Sequence, residues 1–383
     1  MKFVLAPDSF KESLSSLDAV EALAAGIQEV YPHAHITKVP MADGGEGTCE
    51  VITNILGGEF ISINVHDPLG AATTARFGFV AQSKTAIIEV AEAIGIHLIE
   101  AEARDIWAAQ SFGVGELLTE ALNQGAQKII LGLGGTVTND GGAGMLSALG
   151  VQFKDKNGNT LDPTPRNLSA CTSLDTSDLD PRWRTVEIIL ASDVTSPATG
   201  KEGATYIFGP QKGATPDSLE ELDKSIATLV RALELHTGKA IDSLPGAGAA
   251  GALPIGLFAL FSADMTPGAD LILDLVKFDD LCTPDSFVLT GEGRIDNQTA
   301  VGKGPARVAS RAKAQGSKVF AFGGLIDSSS TELTPALFDA IIPINRDVGD
   351  LKTALESAGP NLSRAAAMSC SILEAAQSEG AIS

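Results

Sequence analysis

One stretch constrains this chain more than any other: Gly132-Leu133-Gly134-Gly135-Thr136-Val137-Thr138-Asn139-Asp140-Gly141-Gly142-Ala143-Gly144-Met145. It is entered from Lys128-Ile129-Ile130-Leu131, an apolar run that reads as a buried parallel strand. It leaves through Met145-Leu146-Ser147-Ala148-Leu149-Gly150, which reads as a helix stopped by glycine. A plain turn needs one or two glycines. Six of them at a strand-to-helix corner leave backbone N–H groups bare, and such groups at a helix start form an anion site. Asn139 and Asp140 can cap the helix, while Thr136 and Thr138 add hydroxyls.

The 383 residues are enough for two domains with sizeable cores. With 44% hydrophobic and 20% charged residues the chain is globular. A formal net charge of −21 repels nucleic acid and anionic membrane surfaces. It does not exclude an anionic substrate, provided the site is locally basic. No stretch of 18 apolar residues spans a membrane, and the opening Met1-Lys2-Phe3-Val4-Leu5-Ala6-Pro7-Asp8 is too short an apolar run for a signal peptide. Cys49, Cys171, Cys282 and Cys370 form no CxxC pair, so buried free thiols in a cytoplasmic protein are expected. His33-Ala34-His35 is the closest approach to metal-ligand spacing among the five histidines, and it sits between a helix and a strand.

Along the chain, short strands repeatedly end in loops that carry a carboxylate. Phe3–Ala6 leads to Asp8, Ser9 and Lys11, and His35–Val39 leads to Asp43, Gly44, Gly45 and Glu46. Trp183–Leu190 leads to Asp193, and Phe287–Thr290 leads to Glu292, Arg294 and Asp296. In open parallel sheets ligands bind at such carboxyl ends of strands. Helix capping explains one carboxylate per loop, but not Lys11 beside Asp8, nor Glu46 among glycines. From Phe60 to Val80 the pattern alternates with short connections, which implies antiparallel pairing and a second domain. Val151–Phe153, the Asn157-Gly158 turn and Thr160-Leu161 read as a hairpin. Gly246-Ala247-Gly248-Ala249-Ala250-Gly251 matches GxGxxG, but it follows Leu244-Pro245 and not a strand, so it is no dinucleotide fingerprint.

Carboxylates, the basic residues Lys11, Lys212, Arg294 and Lys303, and glycine loops without histidine or cysteine fit Mg²⁺-assisted phosphoryl transfer. A Walker A sequence is absent. On this reading residues Gly134, Gly135, Thr136, Thr138, Asn139, Asp140, Gly141 and Gly142 hold nucleotide phosphates. Lys11 and Arg294 are the candidates to hold an acceptor's carboxylate, Arg294 by a bidentate contact. Glu292 and Asp296, which flank Arg294, suit the metal or the nucleotide. Asp193, with no basic neighbour, is the candidate to activate the acceptor.

The chain resembles the bacterial type I glycerate kinases over essentially its whole length. The resemblance is carried by Ala6–Lys11 with Ser13-Leu14-Ser15, by Ala42–Thr48, by the Thr138–Met145 core of the glycine stretch, by Phe208–Ala214, by Gly246–Gly251 and by Gly291–Asp296. Glu12 stands where glycine is frequent in the family, Thr136 where serine is usual, and Asn297 where glycine is usual. The resemblance implies ATP-dependent phosphorylation of D-glycerate and favours its 2-hydroxyl. Asp8, Ser9, Asp43, Glu46 and Lys212 are the candidate substrate-binding residues, and Asp43 and Glu46 could also serve as the base or at the metal or nucleotide. The resemblance also implies two α/β domains with the active site in the cleft between them. One is a flavodoxin- or Rossmann-like parallel sheet of discontinuous segments, and the other is mixed, with antiparallel strands. The expected segments are 1–62, 105–149 and 284–383 for the first, and 63–104 and 150–283 for the second. A 3-kinase, another small hydroxy-acid kinase, an acid-acting ligase and a two-domain solute-binding protein stay open from the residues alone.

Overall fold

The computed structural model describes residues 1–296, 299, 304–327, 333, 336–346 and 350–380. The chain forms two compact units, one of Met1–Asp43 with Ala269–Ser383, the other of Gly44–Gly268. Both are α/β, as the sequence leads one to expect, but the division differs from the expected one. Segments 44–62 and 105–149 belong to the second unit, and 269–283 to the first.

In the first unit, β1 (Lys2–Leu5), β2 (His35–Lys38), β11 (Ser286–Ile295), β12 (Lys318–Ile326) and β13 (Ala340–Pro343) make a sheet. Its order is β13-β12-β11-β1-β2, and every pair is parallel. The chain runs outward from β1 to β2, then resumes on β1's other side with β11. That reversal makes β1 and β11 the topological switch point, where open parallel sheets bind ligands outside their carboxyl ends. Helix α1 (Ser16–Val30), capped by the Ser15 hydroxyl on the Asp18 amide, buries Val20, Leu23, Ala24 and Ile27. It packs with Phe3, Leu5, Leu362 and Ala366 in one core. The approach to the helix Ala358–Gly380 is close: a Cβ at Gly26 would lie 1.9 Å from the Ser363 carbonyl oxygen.

In the second unit, the strands are β3 (Glu59–His66), β4 (Ala72–Val80), β5 (Thr85–Glu89), β6 (Lys128–Gly132), β9 (Glu187–Ala191) and β10 (Ser262–Thr266). They form one sheet in the order β10-β9-β6-β5-β4-β3. The β3–β4–β5 meander is antiparallel, and the pairs from β5 to β10 are parallel. The sequence reading places the run Lys128–Leu131 in the same domain as segment 1–62; it pairs with β5 and β9 instead, and this is what moves 105–149 into the second unit. The expected hairpin is present in short form: Lys154 bridges Thr160, the Leu161 amide donates to the Phe153 carbonyl (2.8 Å), and the Asp155 amide donates to the Asn159 carbonyl (3.0 Å). The Asp155 carboxylate closes the 155–159 turn by accepting the Asn157 and Asn159 amides, and β7 (Gln152–Lys154) also pairs antiparallel with β8 (Ser173–Asp175). All four cysteines are free and buried, as expected. Among the described residues no helix is long and apolar enough to cross a membrane.

Candidate functional site

Each unit carries one cluster at the carboxyl ends of its parallel strands. In the first unit the strand-end loops place Asp8 after β1, Asp43 after β2 and Glu292 within the long end of β11. The Asp8 amide donates to the Gly291 carbonyl (2.9 Å), and the Thr290 hydroxyl donates to the Ala6 carbonyl (2.8 Å), so the two loops are stitched together. The helix Gly304–Ala314 starts against them, since a Cβ at Gly304 would come 2.9 Å from Asp8 Oδ2. Burial, then the charges of Asp43 and Glu292, push the Asp8 carboxyl up to about 7, against the Ser9 amide and the Lys11 charge. Glu292 is 9% exposed and accepts the Thr299 hydroxyl at 2.7 Å. Lys11 is exposed. Glu12 has φ +66°, a conformation that glycine adopts at no steric cost, which gives the family's frequent glycine there a physical reason.

Two of the expected site residues are tied to each other here. Arg294 has its guanidinium against Asp296 Oδ2 and Asp327 Oδ2, each at 3.2 Å, on a side chain 57% exposed. In this structure it is a largely exposed ion pair with two carboxylates. Lys303 and Asn297 lie outside the described residues. Among the described residues no three His, Cys, Asp or Glu side chains are arranged to hold a metal ion.

In the second unit the strands β5, β6 and β9 end level: Glu89 pairs with Gly132, and Gly132 with Ala191. The glycine stretch starts at this level. The loop 44–47 lies across it, with the Gly134 amide on the Gly44 carbonyl (3.1 Å). A Cβ on Gly44 would meet the Ala191 oxygen at 2.3 Å, at φ +91°, so only glycine fits. The GAGAAG segment has a structural use: Gly251 packs against the glycine stretch, its carbonyl accepting the Gly141 amide (3.0 Å), and a Cβ on it would lie 2.1 Å from the Thr138 oxygen.

The glycine stretch is largely a buried frame. Asp140 is wholly buried and accepts four donors: the Ser111 amide (2.7 Å) and hydroxyl (2.8 Å), and the Gly142 and Gly144 amides (3.1 and 3.0 Å). Burial raises its pKa, against those four hydrogen bonds. Asp140 therefore builds the loop. The amides of Gly134, Gly141 and Gly142 are spent internally, and the helix that follows is only Ala143–Ala148, so the expected helix-start anion site contracts. The amides of Gly135, Thr136, Thr138 and Asn139 have no acceptor among the described residues. Only Gly135 of this stretch is exposed. Thr138 Oγ1 and Asn139 Oδ1 are buried without a partner.

Lys212 ends the short turn Pro210–Lys212 and is 2% exposed. Its ammonium reaches the frame from outside, donating to the Thr138 carbonyl (2.7 Å) and the Thr136 hydroxyl (3.1 Å). Burial pulls its pKa down to about 7, with Asp140 the opposing charge. Glu46 is exposed, and Asp193 is exposed with Oδ1 accepting the Gly268 amide at 3.1 Å. Sequence reasoning passed over Glu89, the buried carboxylate that closes β5. The signal was present: a carboxylate ending an apolar strand, the same rule that found Asp8 and Asp193.

Over residues 3–374 the chain matches the family described as the glycerate kinase family. It is 42% identical over 366 residues to a glycerate kinase of Bacillus subtilis (strain 168), covering 96% of both chains. It is 39% identical over 365 residues to a glycerate 2-kinase of Escherichia coli (strain K12), covering 95% of this chain and 96% of that one. In structure it is similar to a chain described as glycerate kinase 2 from Salmonella typhimurium LT2, with a TM-score of 0.87, 38% identity and 99% of each chain covered.

Proposed function

This chain belongs to the glycerate kinase family, and from that premise we propose that it transfers the γ-phosphoryl group of ATP to the 2-hydroxyl of D-glycerate, giving 2-phosphoglycerate and ADP. The observation that carries the reading is the chain-long likeness, which includes a relative named for the 2-position. The amides of Gly135, Thr136, Thr138 and Asn139, with Thr136 and Thr138 fixed by Lys212, are the groups that meet the nucleotide phosphates. Lys11 is the cation for the glycerate carboxylate, with Ser9, Asp43 and Glu46 as further substrate contacts. Asp193 holds the Gly268 turn.

The acidic cluster of the first unit fits Mg²⁺. The Asp8 carboxyl is held near 7 partly by the charges of Asp43 and Glu292, and a bound cation would relieve that repulsion. Mg²⁺ usually takes one or two carboxylates plus phosphate oxygens and water, so the absence of a three-carboxylate cage among the described residues is no obstacle. Glu292 and Asp8 would hold it, and it would neutralise charge on the transferring phosphoryl group. A cytoplasmic setting goes with this reading, because the donor is ATP and the cysteines are free thiols.

The test is a coupled ADP-release assay with D-glycerate, followed by phosphorus NMR of the product. A 2-phosphoglycerate resonance is expected. A 3-phosphoglycerate resonance overturns the regiochemistry, and no glycerate-dependent ADP release overturns the reading.

A further inference from the structure

Strand β5 is buried from end to end and closes on Glu89, which is 7% exposed. Glu89 stands level with Gly132, the first residue of the glycine stretch, at the carboxyl edge of the parallel strands. Its Oε2 accepts the Cys49 amide at 3.3 Å, at the start of helix α2 (Thr48–Leu56). Thr48 lies over Gly132, its Cβ 3.6 Å from where a Cβ on Gly132 would be. The Thr48 hydroxyl is buried and has no hydrogen-bond partner.

The charges that face Glu89 do not favour its ionisation. Glu92, from the helical turn after β5, and Glu46, from the 44–47 loop, both oppose it, and burial opposes it more. Arg76 of β4 is drawn off to Glu92 and Glu50. The Cys49 thiol is neutral, pushed up to about 12 by burial. Of the leading influences, the Cys49 and Gly47 amides favour the carboxylate, and no cation pairs with it among the described residues. A neutral side chain could accept those amides without the cost of burying a charge. Helix capping alone therefore does not account for an ionisable group here.

We infer that Glu89 is the base that takes the proton of the acceptor hydroxyl, and that the Thr48 hydroxyl orients that hydroxyl. The inference rests on the glycerate kinase reading. In the step, the hydroxyl O–H bond breaks and its proton passes to the Glu89 carboxylate. The oxygen forms a bond to the γ-phosphorus, and the bond from that phosphorus to the bridging oxygen breaks, so that ADP leaves with the electron pair. Glu89 then returns the proton to water. The transition state is loose, so the base acts late and chiefly holds the alcohol in line. Burial and its two acidic neighbours raise the Glu89 carboxyl to about 7, which matches a base working near neutrality.

The experiment is the pH profile of kcat/KM for glycerate, in wild type and in Glu89→Gln, which can still accept the Cys49 amide. Wild type should show an acid limb with a midpoint near 7. Glu89→Gln should lose that limb and about 10²–10⁴-fold in kcat, with MgATP affinity by calorimetry unchanged. Turnover near the wild-type value, or a retained limb, overturns the inference. If Glu89→Gln does not fold, Glu89→Asp decides: a lower kcat with the limb kept supports the base, and an unchanged kcat removes it. Wild type that releases ADP only without regard to glycerate sinks the underlying reading as well, so the two failures are told apart.

Discussion

Lys212→Met tests whether the glycine frame is held by a buried charge. Methionine keeps the length of the side chain and removes the ammonium. In wild type that ammonium is 2% exposed, its two partners are neutral oxygens, and its pKa falls from 10.5 to about 7. Between those two values the unfolded chain binds more protons than the folded one, so stability from this group rises with pH. The contribution is complete above 10.5 and is lost as pH falls toward 7; below that the cost is constant. From pH 7 to pH 9 the gain is about 2 kcal/mol, for a folded value of about 7. The methionine variant has no such term. Urea unfolding at pH 7, 8 and 9 reads the difference. Fluorescence is a suitable probe because the only tryptophans, Trp107 and Trp183, lie in the same unit as Lys212. Wild type should gain about 2 kcal/mol on the variant over that range. Parallel stability curves would mean that the lysine is not buried as a charge, and the reasoning fails.

Gly44→Ala should destabilise the second unit by about 2 kcal/mol or more, measured by the same unfolding, because its Cβ meets the Ala191 oxygen at 2.3 Å and φ is +91°. Gly135→Val, strained at φ +70° on the exposed part of the frame, should abolish MgATP binding in calorimetry while unfolding stays cooperative. Arg294→Ala should leave the KM for glycerate within about threefold and change stability by under about 1 kcal/mol, since exposed ion pairs are weak. Asp8→Asn should raise the Mg²⁺ concentration needed for half-maximal turnover, on the proposal that Asp8 and Glu292 hold the ion; an unchanged Mg²⁺ titration would remove Asp8 from that role.

Much of this was legible in the sequence, and for a definite reason. A carboxylate closing a short apolar strand is a local pattern, and it located Asp8 and Asp43 correctly beyond strand ends, whereas β11 runs on through Glu292 and Arg294 to Ile295. Sheet membership is not local. The run Lys128–Gly132 is equally apolar whichever sheet takes it, and only its pairing with β5 and β9 decides. The glycine stretch misled in a similar way. Glycines announce a close approach, but not what approaches: at Gly134 it is the 44–45 backbone, and at Gly142 it is Leu253. Asp140 looked like a ligand residue because nothing in the sequence reveals that Ser111 and two glycine amides fill its valences. Arg294 looked free because its second partner, Asp327, is 33 residues away.

Burial sorts the charged residues of this chain into two kinds. Arg311 makes close pairs with Asp274 and Asp279, and Arg294 with Asp296 and Asp327, on partly or largely exposed side chains. Such pairs hold surfaces together and cost little. Glu89 and Lys212 are different: each is buried, each lacks an opposite charge in contact, and each is moved by that burial to about 7. A chain selected for stability alone would carry neutral groups at both positions, because an uncompensated buried charge is expensive. Local violations of this kind collect where function requires them. The consequence for Glu89 has a definite sign. Between its ordinary 4.5 and about 7 the folded chain binds more protons than the unfolded one, so wild type loses stability as pH rises through that window. Glu89→Gln escapes the loss and keeps an acceptor for the Cys49 amide. It should therefore resist urea better than wild type at pH 8, by about 3 kcal/mol, and only marginally better at pH 5. A variant that is inactive and also less stable at pH 8 would show that the carboxylate is there to hold the fold.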